Sequence, residues 1–280
     1  MIFKVPTDLN SYLQTKKKAG VTIGFVPTMG ALHRGHISLI NQAKLDTQLV
    51  VCSIFVNPTQ FNDINDFKKY PLTIEQDIFL LDKAGCNVVF LPSVDDMYPL
   101  GIQNVITYHL GKVEHMLEGE FRKGHFQGVC QVVHRLLDIV VPDKLFLGQK
   151  DLQQCMVIKK LIEIIKLDTE VIICATLREA NGLAMSSRNT RLNEIEKEKA
   201  ANIYQALRLI QSSIEKLPIE TLKTSAITKL TAIGFKVDYI EIAEAETLEP
   251  IVQFEKKIAT VCIIAAYLNE VRLIDNILMN

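Results

Sequence analysis

The stretch VPTMGALHRGHISLI, residues 26–40, decides how the chain is read. A short apolar run ends near Thr28 and a glycine-containing turn follows. Ile37, Leu39, Ile40 and Ala43 then recur on one helical face. Strand, turn and helix in that order are how a parallel sheet hands the chain to a crossover helix. In the same geometry a helix N-terminus offers backbone N–H groups and partial positive charge to a phosphate. Gly35 lets a phosphate approach the backbone closely, and His33 and His36 can donate imidazole N–H bonds to its oxygens. The spacing fits a clasp for a nucleotide triphosphate. It fits equally a turn in which the two histidines only cap the helix, and the four residues His33 to His36 do not separate the two. Metal binding is the weaker reading, because no third His, Cys or carboxylate follows at ligand spacing.

Outward from this stretch, short apolar runs alternate with helical patterns up to about residue 176, the rhythm of βαβ units. The sequence predicts strands at 21–28, 48–56, 87–91, 144–148 and 170–176, with helices on both faces of a parallel sheet. In TIEQDIFLLDKAG, Ile74, Ile78, Leu81 and Ala84 share a helical face, and Gly85 is placed to end the helix. Beyond residue 188 two charged amphipathic helices are expected in LNEIEKEKAANIYQALRLIQSSIEKL and IETLKTSAITKLTAIG. Strand-like runs close the chain and read as antiparallel. The expected division is a domain over residues 1–176 and a smaller α+β domain over 177–280, with a ligand in the cleft between them.

Composition limits the function classes. The 280 residues carry 31 Lys and Arg against 32 Asp and Glu, so a net charge of −1 gives no long-range attraction for nucleic acid or an anionic membrane. Any anion must be held by a local site. Six cysteines, with no Cys-x-x-Cys pair, read as small buried hydrophobes in a reducing compartment. No apolar run approaches the length that spans a bilayer, and no signal-peptide pattern is legible, so the cytoplasm is the expected location.

Two further segments favour the clasp over the cap. LFLGQKD, residues 145–151, puts Lys150 and Asp151 just past an apolar run, at the carboxyl end of a strand where ligands of open α/β sheets gather. NGLAMSSRNTRL, residues 181–192, supplies the hydroxyls of Ser186 and Ser187 and the guanidinium of Arg188. Hydroxyl donors and a fixed cation suit a phosphate that gains charge during transfer.

Taken together, PTMGALHRGH, SIFVNPTQF, YPLT, LEGEFRKGHFQGV, VVPDKLFLGQKDLQQ and REANGLAMSSRN resemble the pantoate–β-alanine ligase family within the His-x-Gly-His nucleotidyltransferases. The match is specific over most of the first 192 residues; VNPTQF and GHFQGV separate this family from others with the same histidine turn. The resemblance implies a Rossmann-like N-terminal domain, a C-terminal lid and a homodimer. It implies an ATP-dependent ligase of the pantothenate and coenzyme A pathway that acts in two steps. The pantoate carboxylate attacks the α-phosphate to give pantoyl adenylate and pyrophosphate, and the β-alanine amine then expels AMP. Mg²⁺ accompanies the nucleotide.

Carried onto this chain, the resemblance assigns ATP to Met29, Gly30, Ala31, Leu32, His33, Arg34, Gly35 and His36. It continues through Gly148, Gln149, Lys150 and Asp151, the backbone near Leu177, and Met185, Ser186, Ser187 and Arg188. Gln60 and Gln154 correspond to the amides that hold pantoate; a carboxamide can bond a carboxylate and hydroxyls without adding charge. His33, His36, Lys150 and Arg188 are the expected electrostatic stabilisers, with positioning supplying most of the rate. Ser186 and Ser187 are donors, not nucleophiles, since no triad partners are identifiable.

Leu72, Gln76 and Leu152 stand where the family pattern carries arginine, an acidic residue and an aromatic. They leave Asp77 as the acidic candidate for a metal contact near residues 70–77. His125 has no role derivable from the residues, and His109, His115 and His134 read as structural or exposed. Two alternatives keep the scaffold: a nucleotidylyltransferase acting on another acceptor, and a nucleotide sensor or tRNA-binding protein. Gln60 and Gln154 argue against the first, because a phosphorylated acceptor calls for extra cations. The charge balance argues against RNA.

Overall fold

The computed structural model describes residues 1–61, 64–103 and 106–279, which fall into two compact units. The first comprises Met1–Gly148 and Gln154–Ala175, and the second Gln149–Gln153 and Thr176–Asn280. A division at residue 176 places Gln149–Gln153 in the N-terminal domain. In the structure this five-residue piece clusters with the second unit, although the chain on both sides of it belongs to the first.

The first unit is built on a six-stranded, all-parallel sheet. Its strands are β1 (Ile2–Phe3), β2 (Ile23–Thr28), β3 (Leu49–Ile54), β4 (Val88–Phe90), β5 (Lys144–Gly148) and β6 (Glu170–Cys174), in the order β1-β4-β3-β2-β5-β6. Sequence reading missed β1, because two residues show no periodicity. The helices are α1 (Pro6–Lys18), α2 (Arg34–Asp46), α3 (Ile64–Lys68), α4 (Ile74–Lys83), α5 (Val94–Met97), α6 (Glu118–Phe121), α7 (His125–Val140) and α8 (Leu152–Ile165).

Alternation along the strands explains why helices cover both faces. All six residues of β3 are buried. Leu49 and Val51 join Leu9 and Leu13 of α1, Val129 and Leu137 of α7 and Ile158 of α8 in one layer. Val50, Cys52 and Ile54 point the other way and meet Leu39, Ile40 and Leu81 from α2 and α4. From β2 the sheet runs one way through β3 and the other way through β5. The carboxyl end of β2 therefore lies at the point where strand order reverses, the usual ligand position in such sheets.

Helix α4 keeps most of its predicted face, with Leu81 buried and Ile78 and Ala84 partly buried, and departs from it in the first turn. Its fully buried positions are Asp77 and Leu81, while Ile74 is 48% exposed. Apolar periodicity could not foresee a carboxylate turned inward. Gly85 does follow the helix in the left-handed region, at φ 72°, as expected of a residue that ends it.

The second unit has an antiparallel sheet of β7 (Phe235–Glu244), β8 (Thr260–Leu268) and β9 (Val271–Leu278), in sequence order. Alternate β8 residues Cys262, Ile264, Ala266 and Leu268 pack with Leu207 and Ile210 of one helix and Leu222 and Leu230 of another. The first long helical pattern is two helices, α9 (Glu194–Ala200) and α10 (Asn202–Ser213), separated at Ala201; the second is α11 (Ile219–Ala232).

Candidate active site

The histidine turn is held by a reciprocal cap. His33 precedes the first turn of α2, and its Nδ1 accepts the Gly35 N–H at 3.1 Å. His36 lies three residues on, and its Nδ1 accepts the His33 N–H at 3.3 Å. Capping and ligand binding are therefore compatible. An Nδ1 that accepts a hydrogen bond leaves the proton of the neutral ring on Nε2, so both imidazoles are set as Nε2–H donors. The ring centroids are 4.1 Å apart. The expectation of open amides is not met at Gly35, whose N–H is taken by this cap.

The residues just before the cap are braced by Asp77. The Ala31 and Leu32 amides donate to its carboxylate at 2.9 and 2.7 Å, and Thr73 Oγ1 adds a third bond at 3.1 Å. Gly30 and Ala31 both have positive φ, 78° and 50°. A Cβ on Gly30 would stand 2.9 Å from the Asp77 carboxylate and from Ile54, so glycine is needed there for space as well as conformation.

Gln60 lies in a short 3₁₀ turn, Pro58–Gln60, after β3. Its carboxamide donates to the Met29 sulfur at 2.8 Å and accepts from Asn57 Nδ2 at 3.2 Å, which brings together two residues that the sequence assigned to different substrates. Buried Asn57 also donates to the Gly128 carbonyl and accepts from Tyr98 Oη. His125 Nδ1 bonds the Gln60 carbonyl at 2.8 Å, and Arg122 bonds its Nε2 at 3.0 Å. A carbonyl only accepts, so His125 carries its proton on Nδ1 and holds the backbone of Gln60. A Cβ on Gly128 would fall 2.3 Å from the Thr59 carbonyl oxygen, so α7 can reach this turn only with glycine there. The motifs VNPTQF and GHFQGV are two sides of one contact. Gln154, near the start of α8, is partly exposed.

In the second unit, Lys150 Nζ lies 3.3 Å from both oxygens of Asp151 within the 3₁₀ turn Gln149–Asp151. Asn276 on β9 donates to the carbonyls of Gln149 and Lys150 at 2.8 and 3.1 Å and accepts from the Gln149 side chain at 3.2 Å. Next to it, Asp275 binds Arg178 through both oxygens, at 2.5 and 3.0 Å. Burial raises the Asp275 carboxyl above its ordinary range, and Arg178 and the Asn276 amide pull it back. Leu177 lies beside the serine segment, its carbonyl accepting the Met185 amide at 3.0 Å. Ser186 caps the 3₁₀ helix Ser187–Arg191 by accepting the Arg188 amide at 3.3 Å. Met185 and Ser187 are buried, whereas Ser186 and Arg188 are partly exposed.

Sequence reading missed Asn57, Arg178, Asp275 and Asn276. Asn57 and Arg178 had a signal in their places within VNPTQF and REANGLAMSSRN; Asp275 and Asn276 are polar residues in an otherwise ordinary strand. His134 proves structural, its Nδ1 2.7 Å from Tyr108 Oη, and His109 and His115 are exposed. Leu72 and Gln76 are exposed, and Leu152 is buried. Four cysteines are buried and two half-buried. Burial pushes the Cys86 thiol up to about 11 and Cys130 up to about 12, away from thiolate chemistry. Among the described residues no helix is long and apolar enough to cross a membrane.

Magnesium finds no protein cage among the described residues. No group of three or more His, Cys, Asp or Glu is placed to hold a metal ion. Asp77 does not fit the role kept for it, because both its oxygens accept bonds from the turn and it is 1% exposed. An ion held by phosphates and water, the common form for Mg²⁺, does not require such a cage.

A parallel sheet with a doubly capped histidine turn at its switch-point strand defines an α/β protein carrying the His-x-Gly-His turn where ligands of such sheets gather. Comparison with known proteins narrows this. The family model for pantoate-beta-alanine ligase matches residues 1–278. The pantothenate synthetase of Cytophaga hutchinsonii is 44% identical over 274 residues, 97% of this chain and 96% of that one. The structure of pantothenate synthetase from Thermus thermophilus superposes with a TM-score of 0.91 at 36% identity, covering 99% of this chain and 98% of that one. That of the Francisella tularensis pantoate-beta-alanine ligase, complexed with beta-gamma ATP and beta-alanine, gives 0.84 at 40% identity, covering 100% and 97%. The chain belongs to the pantoate–β-alanine ligase family and is an enzyme of that family, a pantothenate synthetase by sequence and by fold.

Proposed function

We propose that the chain condenses pantoate with β-alanine in two half-reactions through a pantoyl adenylate. The observation that carries this reading is the reciprocal His33–His36 cap, which presets two imidazole N–H donors at the end of β2. A pantoate carboxylate oxygen bonds the α-phosphorus of ATP as the bond to pyrophosphate breaks. In the second step the β-alanine amine attacks the acyl carbon, AMP leaves, and the amine gives up a proton. The carboxylate is already a competent nucleophile, so the protein's part is orientation and stabilisation of the charge that grows on the phosphates.

In this assignment His33 and His36 donate through Nε2, and Lys150 and Arg188 supply fixed positive charge. Lys150 then exchanges the Asp151 carboxylate for phosphate oxygens. Ser186 and Ser187 add hydroxyl donors. Gln60, held by Asn57 and His125, and Gln154 take the pantoate carboxylate and hydroxyls. Mg²⁺, arriving with ATP, would offset triphosphate charge. The ligands of the Francisella tularensis structure, beta-gamma ATP and beta-alanine, support the substrate set. The C-terminal residues 177–280 are assigned the lid, and the family resemblance supports a cytoplasmic homodimer. The match to the ligase family over residues 1–278 favours this reading over the nucleotidylyltransferase.

The first half-reaction releases pyrophosphate before any amine is needed. Labelled pyrophosphate should therefore enter ATP with pantoate and Mg²⁺ alone, and not without pantoate. Label that enters only when β-alanine is also present would rule out a free adenylate.

A further inference from the structure

The last strand of the second unit, VRLIDNIL, contains two consecutive polar residues that are almost completely buried: Asp275 is 3% exposed and Asn276 2%. Neighbouring residues of a strand point to opposite sides, so a consecutive pair can reach two segments at once. Asn276 reaches Gln149 and Lys150 with both amide hydrogens and its oxygen, as described above. Asp275 reaches Arg178, whose guanidinium also donates to the Gly182 and Asn276 carbonyls and lies 3.9 Å over the Tyr204 ring. Arg178 pairs with Ala184 across the short hairpin that leads into Met185–Arg188. One dipeptide therefore grips both segments of this unit that are assigned to ATP.

A buried ion pair and carboxamide are poor ways to gain stability. Apolar residues of similar size often do as well, because taking charge out of water costs several kcal/mol. Fixing a geometry is the use that explains them. We propose that Asp275 and Asn276 are positioning residues for the adenylation step, Asn276 setting the turn that aims Lys150 and Asp275, through Arg178, setting the hairpin that leads to Ser186–Arg188. This rests on the role proposed for Lys150 and Arg188 and adds two residues that do not touch substrate.

The test is a double-mutant cycle read by pantoate-dependent exchange of pyrophosphate into ATP, with deuterium uptake measured on the same proteins. Asn276→Ala should lower the exchange rate roughly 100-fold, the scale of a small misplacement of a reacting group, with the pantoate KM unchanged. In a Lys150→Ala background it should change the rate less than about twofold, since it acts through that lysine. Amides of Gln149–Gln153 should exchange faster in Asn276→Ala, and those of Leu177–Met185 faster in Asp275→Asn. Asn276→Leu, which is close in size and adds no charge but loses both donated bonds, should reproduce the rate loss if the alanine variant folds poorly. Rate losses that multiply in the double variant, or a wild-type rate in Asn276→Leu, would overturn the proposal. A wild-type protein without exchange would sink the adenylate reading instead, and unchanged uptake at Gln149–Gln153 would by itself overturn the positioning role.

Discussion

Replacing Gly128 by alanine sets two known effects against each other. In an open helix Gly→Ala gains about 1 kcal/mol, because glycine loses more backbone freedom on folding. At Gly128 the added Cβ would stand 2.3 Å from the Thr59 carbonyl oxygen, 2.7 Å from its carbon and 2.9 Å from Gln60 Cα. Ordinary contact begins near ~3.5 Å, so the overlap is about 1 Å, and against backbone, which cannot rotate aside. Overpacking of this kind costs about 1–3 kcal/mol. The upper half of that range applies, because the same turn is tied to α7 by Asn57 and His125. The net expectation for Gly128→Ala is a loss of about 1–2 kcal/mol in urea unfolding. The push falls on Gln60, so the pantoate KM should rise roughly tenfold, equivalent to about 1.4 kcal/mol, while ATP affinity by calorimetry stays near wild type. A variant more stable by about 1 kcal/mol with an unchanged pantoate KM would refute the contact and its link to Gln60.

Two further substitutions probe the first unit. Asp77→Asn removes charge-assisted bonds and turns an NH₂ towards a buried N–H; the loss should be about 3 kcal/mol on the scale of such bonds. The ATP KM should rise, while the Mg²⁺ concentration for half-maximal rate stays constant. A large shift in that concentration would return Asp77 to the metal. Gln60→Ala should raise the pantoate KM roughly 10- to 100-fold, the worth of one or two buried hydrogen bonds, and leave ATP binding intact. Loss of ATP binding would mean that the contact with Met29 makes Gln60 part of the nucleotide site.

What could be read from sequence follows what generates a periodic or punctuated signal. The strands at 144–148 and around residues 23–28 and 49–54 stand out because both sheet faces are buried and the runs are continuously apolar. The His33–His36 turn stands out because glycine and two histidines interrupt that pattern. Contacts between distant segments leave no such trace. Asp77 resembles any acidic residue in the first turn of a helix, and only the fold turns it towards Ala31 and Leu32. Asn276 sits in a strand whose alternation is legible, yet its partners are more than a hundred residues earlier. Gln149–Gln153 was assigned by chain continuity to the unit on either side of it, because adjacency in sequence is the default when nothing else speaks.

That short piece governs how such enzymes can be recombined. A hybrid made by joining at residue 176 would bring a foreign second unit, with whatever residue it carries at the place of Asn276, while retaining the recipient's Gln149–Gln153. The graft would cross a set of hydrogen bonds that spans 126 and 127 positions of the chain. The carbonyls are backbone and present in any recipient, but the donor unit must still bring a side chain that reaches them; left buried without that donor they cost about 1–3 kcal/mol, so a hybrid lacking it would start at a deficit. Exchanging residues 149–153 together with 176–280 moves the interlocking parts as one cassette, and the sheet strands on either side of the small insert remain those of the recipient.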